Sequence, residues 1–113
     1  MKLVETSITL ADLRAMAQAC FGDLVKAVVD VRKGIMVVDG ELHSDEEALL
    51  LESGSEQAAL WGINLYPDLP VSEWMEFDSM INIRPSQGNR SRGVDDPKMR
   101  AQIVTVVRSL VRE

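Results

Sequence analysis

The sequence predicts an α+β fold: a mainly antiparallel, meander-like sheet of about five strands, with an N-terminal and a C-terminal helix packed on one face. Two patterns carry this expectation. Along the middle of the chain apolar and polar residues alternate, as in LVKAVVDVR and ALWGINLYP, which is the period of a strand with one buried face. Towards both ends the period becomes helical, behind cap signatures at Thr9 and Asp96.

Taken in order, Lys2 to Glu5 reads as a short strand. Thr9 and Asp12 have the N-cap and N3 spacing of a capping box, with Ile8 and Leu13 placed as a hydrophobic staple. Leu13, Met16, Ala17 and Cys20 continue at helical spacing, which puts Cys20 in an apolar stripe, and Gly22 supplies the left-handed position that ends the helix. In the next strand Val25, Ala27, Val29 and Val31 share one face, and Lys26, Asp30 and Arg32 the other. Lys33-Gly34 turns the chain into IMVVDG. EALLLES reads as a third strand of this series, or alternatively as a helix capped by Ser44 with Glu47 as its capping-box partner. ALWGINLYP would bury Trp61, Ile63 and Leu65, turn Gly62, Asn64 and Tyr66 outward, and stop at Pro67. WMEFDSMINIRP reads as the last strand, with Met75, Phe77, Ile81 and Ile83 inward and Glu76, Asp78, Met80, Asn82 and Arg84 on the opposite face. Asp96 and Pro97 form an N-cap and N1 pair, followed by Met99, Ile103, Val106, Val107 and Leu110 at helical spacing.

The 113 residues fit a single domain, 1–113, large enough to bury one real core. Apolar residues at 46% and charged residues at 27% exclude the disordered class. The longest apolar runs reach four residues, far short of the roughly 20 that span a bilayer, and no secretory signal is present. The expectation is a cytoplasmic protein with no membrane partner. One cysteine, Cys20, excludes an internal disulfide.

The net charge of -6 is unevenly spread: residues 34–83 carry eleven acids and no base, whereas residues 84–112 carry seven bases and two acids. Within INIRPSQGNRSRGVDDP the composition is that of a turn-rich loop, and it gathers Arg84, Arg90 and Arg92 beside Asn82, Gln87 and Asn89. Guanidinium forks next to amide donors suit phosphate or carboxylate oxygens. These six residues, with Asn64 on the same predicted face, are the candidate ligand-binding set; the competing reading is that the arginines pair with the acidic block and organise the fold. His43, in GELHSDEE, is the candidate catalytic residue, since an imidazole moves protons near neutral pH. Asp45 and Glu47 beside it do not make a convincing metal site, so no metal and no cofactor is expected. P-loop, dinucleotide-binding, zinc-protease and serine-hydrolase motifs are absent. No aromatic lies in the arginine loop, which weakens a single-strand-binding role.

GELHSDEEALLLESGS, the WG of LWGINLYP, and INIRPSQGNRSRGVDDP together resemble an uncharacterised prokaryotic family known as a domain of unknown function. The resemblance runs from Lys26 to the last helix. It implies a small stand-alone cytosolic protein whose marked positions are His43, Trp61, Gly62, Asn82, Arg84, Pro85, Gln87, Asn89, Arg90 and Ser91, and it implies no activity.

The function expected first is binding of a phosphate-bearing ligand, nucleotide or RNA, by the Arg/Asn/Gln-rich loop. One alternative is a metal-independent nuclease or phosphotransfer enzyme using His43. Another is a homodimer held by complementary charge, with Leu65, Tyr66 and Trp74 as its apolar patch.

Overall fold

The computed structural model describes residues 1–113. Its centre is a hairpin of β3 (Val25–Asp30) and β4 (Ile35–Val38), joined by a turn in which Gly34 takes φ +68°. β1 (Lys2–Val4) lies antiparallel to β4 at one edge. β5 (Leu60–Leu65) lies antiparallel to the other side of β3, and β6 (Met75–Glu76) closes the far edge. The order is β1-β4-β3-β5-β6, antiparallel throughout. A separate parallel pair joins β2 (Ile8–Thr9) to β7 (Val111–Arg112).

Helix α1 (Leu10–Ala19) starts as its capping signature predicts, with Thr9 Oγ1 accepting from the Asp12 N–H at 3.0 Å. Helix α3 (Pro97–Leu110) is capped by Asp96, whose carboxylate accepts from the Lys98 N–H at 2.9 Å. Both helices cover one face of the sheet. There Leu13, Ala17, Ile103, Val107 and Leu110 pack with Ala27, Val29, Met36, Val38, Trp61, Ile63 and Leu65 in the main core. Cys20 does not join them: the chain leaves the helix after Ala19, Gly22 N–H closes back on Ala17 O at 2.6 Å, and Cys20 is exposed.

The structure decides EALLLES for the helical alternative. Helix α2 (His43–Glu52) lies on the opposite face of the sheet, where Leu50 meets Val28, Val37 and Leu60 in a second, smaller core. Its cap residue is Leu42 and not Ser44, and no side chain caps it. The physical reason is that α2 presents Glu46 and Leu50, four residues apart, to the sheet, and both are fully buried. A buried stripe that mixes acid with leucine shows no apolar period in sequence. With α2 in place all six residues of β5 are buried, including Gly62 and Asn64 expected to face outward.

The expected last strand stops early. Met75 and Phe77 pack against the main core as predicted, but after Asp78 the chain enters a 3₁₀ turn, Met80–Asn82, whose first N–H groups are met by Ser79 Oγ accepting from Ile81 N at 3.3 Å. Consequently Ile83 is exposed, and Asn82, expected outward, is fully buried. Asn82 occupies the place a neighbouring strand would take: its Oδ1 accepts from the Gly62 N–H at 2.8 Å and its Nδ2 donates to Gly62 O at 2.9 Å. One side-chain amide thereby satisfies both backbone groups of a β5 residue beyond the end of β6. Gly62 permits this approach, because a Cβ there would stand 2.6 Å from Ser79 Cβ and Oγ.

Candidate ligand-binding cleft

The residues of the arginine loop are brought together, and their donors turn inward. Arg84 donates to Gln57 O and Leu60 O, both at 2.5 Å, and its guanidinium lies 4.2 Å from the Trp61 ring centroid. Gln87 Nε2 donates to Ala58 O at 2.8 Å. These contacts hold the turn that precedes β5. Asn89 Nδ2 reaches the carbonyls of Asn82 at 2.7 Å and Gly93 at 2.8 Å, while its Oδ1 accepts from the Asp95 N–H at 2.8 Å. Asn82 Nδ2 also donates to Arg92 O at 2.9 Å. Arg84 and Asn89 exchange backbone hydrogen bonds, closing a tight loop whose turn residue Gly88 has φ +81°.

The expected oxygen clamp of Arg84 and Arg90 is therefore not assembled. Arg84 is spent on main-chain carbonyls, and the Arg90 side chain is exposed and makes no hydrogen bond or ion pair. Asn64 Nδ2 donates to Glu76 Oε1 at 2.8 Å, an oxygen that also accepts from Tyr66 OH at 3.0 Å. The charge-pairing alternative holds at one point of the loop, where Arg92 Nε donates to Asp78 Oδ1 at 2.5 Å. Nor do Leu65 and Trp74 form an exposed apolar patch, since both are buried.

What the loop builds is one wall of a cleft of about 280 Å³, lined by Lys26, Leu42, His43, Ser44, Ser79, Met80, Ile81 and Arg92. Four separate segments meet here: β3 gives Lys26, the start of α2 gives Leu42, His43 and Ser44, the 3₁₀ turn and its cap give Ser79, Met80 and Ile81, and the arginine loop gives Arg92. Sequence reasoning singled out His43 and Arg92 but missed Lys26, Ser44 and Ser79. Lys26 shares the polar face of the β3 pattern with Asp30 and Arg32, so nothing in the sequence set it apart.

The chemistry of the cleft follows from three observations. Lys26 Nζ has no carboxylate partner and sits 5.1 Å from the centroid of the Phe21 ring, within reach of a cation–π contact. His43 Nε2 lies 2.8 Å from Ile63 O. A carbonyl oxygen only accepts, so Nε2 carries the hydrogen and Nδ1 of the neutral ring is a free lone pair, without a protein partner. Burial lowers the His43 pKa from its ordinary value of 6.5, with Lys26 and Arg92 acting in the same direction and the Ile63 hydrogen bond and Asp78 opposing. The imidazole is thus neutral at pH 7. Finally, the first turn of α2 has no side-chain cap and carries Asp45 and Glu46, and the Asp45 and Glu46 N–H groups both turn back to Leu42 O, so the helix end adds little positive charge of its own.

Residues 2–110 match the model of a family described as "Protein of unknown function (DUF5674)". The chain belongs to this family. No curated protein and no solved structure matches it. Membership spans every strand of the main sheet and all three helices. No helix is long and apolar enough to cross a membrane.

Proposed function

We propose that the protein binds a phosphate-bearing ligand in the cleft between the start of α2 and the 79–92 segment. The observation that carries this reading is the convergence of Lys26, Arg92, two serines and a neutral histidine on one cleft in a chain of net charge -6. Arg92 is balanced by Asp78, so the surplus positive charge of the cleft comes from Lys26. Phosphate oxygens would take the Lys26 ammonium, a free guanidinium edge of Arg92 and the exposed hydroxyl of Ser44. The arginine loop acts behind them, since Asn82 and Asn89 fix the backbone that carries Ser79 and Arg92. A thermal-shift screen of nucleotides, phosphosugars and short RNAs at low salt tests the reading. At least one class raises the melting temperature of the protein, and Lys26→Ala abolishes the rise while keeping the unliganded fold; a screen in which none does so contradicts it.

A second reading is favoured by the fixed tautomer of His43. Its Nδ1 lone pair can take the proton of a water attacking the bound phosphorus as the ester P–O bond breaks, with Lys26 and Arg92 stabilising the added negative charge and the departing alkoxide taking a proton from solvent. On this reading His43→Ala loses phosphoester turnover and keeps ligand affinity. Turnover unchanged in His43→Ala removes the catalytic role and leaves the binding role.

A further inference from the structure

We propose that the ligand of this cleft is a nucleoside monophosphate, with its base held between Leu42 and Met80 and its phosphate on Lys26 and Arg92; the proposal rests on the phosphate-binding reading above. Five of the eight lining residues are polar, and the other three are Leu42, Met80 and Ile81. Leu42 and Met80 belong to the same cleft, yet they remain 54% and 64% exposed and are among the most exposed large apolar side chains of the chain. They come from different segments, Leu42 as the cap residue of α2 and Met80 from the 3₁₀ turn Met80–Asn82, with Ile81 packed into the smaller core beside them.

The Met80–Asn82 turn is what exposes Met80. Ser79 and Asn82 are buried and hydrogen-bonded on either side, so Met80 is held outward by a rigid frame. A polar end beside an apolar end fits a ligand with the same division, and a thioether packs well against the edge or face of a flat ring. Size selects a monomer. A cleft of about 280 Å³ lies at the small end of small-molecule sites, which run from roughly 300 Å³ upward, and it suits one ring system and one phosphate. An RNA strand would ask for further stacking side chains along a basic groove, and the arginine loop carries no aromatic residue.

Calorimetric titration of the full chain with inorganic phosphate, ribose 5-phosphate, adenosine 5′-monophosphate, uridine 5′-monophosphate and a short oligoribonucleotide tests this. The expected result is that at least one nucleoside monophosphate binds about tenfold or more tighter than ribose 5-phosphate, with inorganic phosphate weakest. Leu42→Ala and Met80→Ala each weaken that nucleotide by about threefold to tenfold and leave ribose 5-phosphate unchanged. Circular dichroism confirms that these surface variants stay folded. Equal affinity for ribose 5-phosphate and both nucleotides overturns the base seat and leaves the phosphate reading standing. An oligoribonucleotide that binds tighter than the monomers also overturns it. Absence of binding by every phosphate compound overturns both.

Discussion

Glu46 is fully buried on α2, where its Oε2 accepts from the Gly40 N–H at 3.0 Å and its Oε1 has no partner. Gly40 makes the close approach possible, because a Cβ there would stand 2.5 Å from Glu46 Cγ. Burial raises the pKa of this carboxyl from 4.5 to about 9, against the opposing effects of the Gly40 hydrogen bond and Lys26. The folded protein thus keeps a proton that the unfolded chain has released, and stability falls as pH rises through the window between those values. His43 has the opposite sign: its lowered pKa contributes stability above its ordinary 6.5 that is lost as pH falls. Urea unfolding between pH 7 and pH 9 therefore isolates Glu46, with an expected slope approaching ~1.4 kcal/mol per pH unit. Glu46→Gln keeps an acceptor for Gly40, removes the slope and unfolds at higher urea at pH 8; an unchanged slope in the variant refutes the assignment. At Asn82 the expected cost is structural, and Asn82→Ala lowers stability by about 2–4 kcal/mol, because it orphans both backbone groups of Gly62. Arg84→Ala likewise destabilises, by about 2 kcal/mol, through its carbonyl bonds, and the protein that remains folded still binds the ligand.

At the scale of elements, α2 connects the smaller core to the cleft. Its middle is anchored by Leu50 on Val28, Val37 and Leu60, and its first residues line the cleft. Leu50→Ala is expected to cost about 2–5 kcal/mol in chemical denaturation, and to weaken ligand binding in the same measurement series because the start of the helix loses its footing. Binding unaffected by that loss separates the cleft from the helix. The elements that could be read in the sequence are those whose signal is local: the Thr9/Asp12 cap of α1, the Asp96-Pro97 start of α3, the alternation of β3 and β5, and the Lys33-Gly34 turn. Those that could not are the ones in which a tertiary contact replaces a local rule. In α2 one buried acid breaks the apolar stripe, and after Asp78 an asparagine side chain does the work of a strand. The same holds for the cleft. His43 and Arg92 were legible by residue type, whereas Lys26 and Ser79 become cleft residues only when β3, α2 and the 3₁₀ turn are brought together.

Across the whole molecule the opposed charge blocks meet less than their totals suggest. Of the three ion pairs, Arg14–Asp68 and Arg32–Glu56 join acids of the middle to bases of the N-terminal third, and Arg92–Asp78 alone reaches from the acidic block to the basic one. Exposed pairs of this kind stabilise by about 1 kcal/mol or less, so Arg84 is explained by the carbonyls it binds and Arg92 by Asp78 and the cleft it lines, while nothing in the structure explains Arg90. Because the cleft carries little surplus charge, salt should weaken the ligand moderately: affinity is expected to fall by less than about tenfold between 50 and 200 mM salt, far less than for a protein that binds many phosphates of a nucleic acid. The central claim, that the ligand sits in the cleft at the start of α2 and not on the Arg84–Arg90 part of the arginine loop, is tested most directly by titrating adenosine 5′-monophosphate into isotopically labelled protein and following the backbone amide resonances. The account predicts that the largest saturable shifts fall on Lys26, His43, Ser44, Ser79 and Met80. Shifts concentrated on Arg84, Gln87 and Arg90, with those five unmoved, would contradict it.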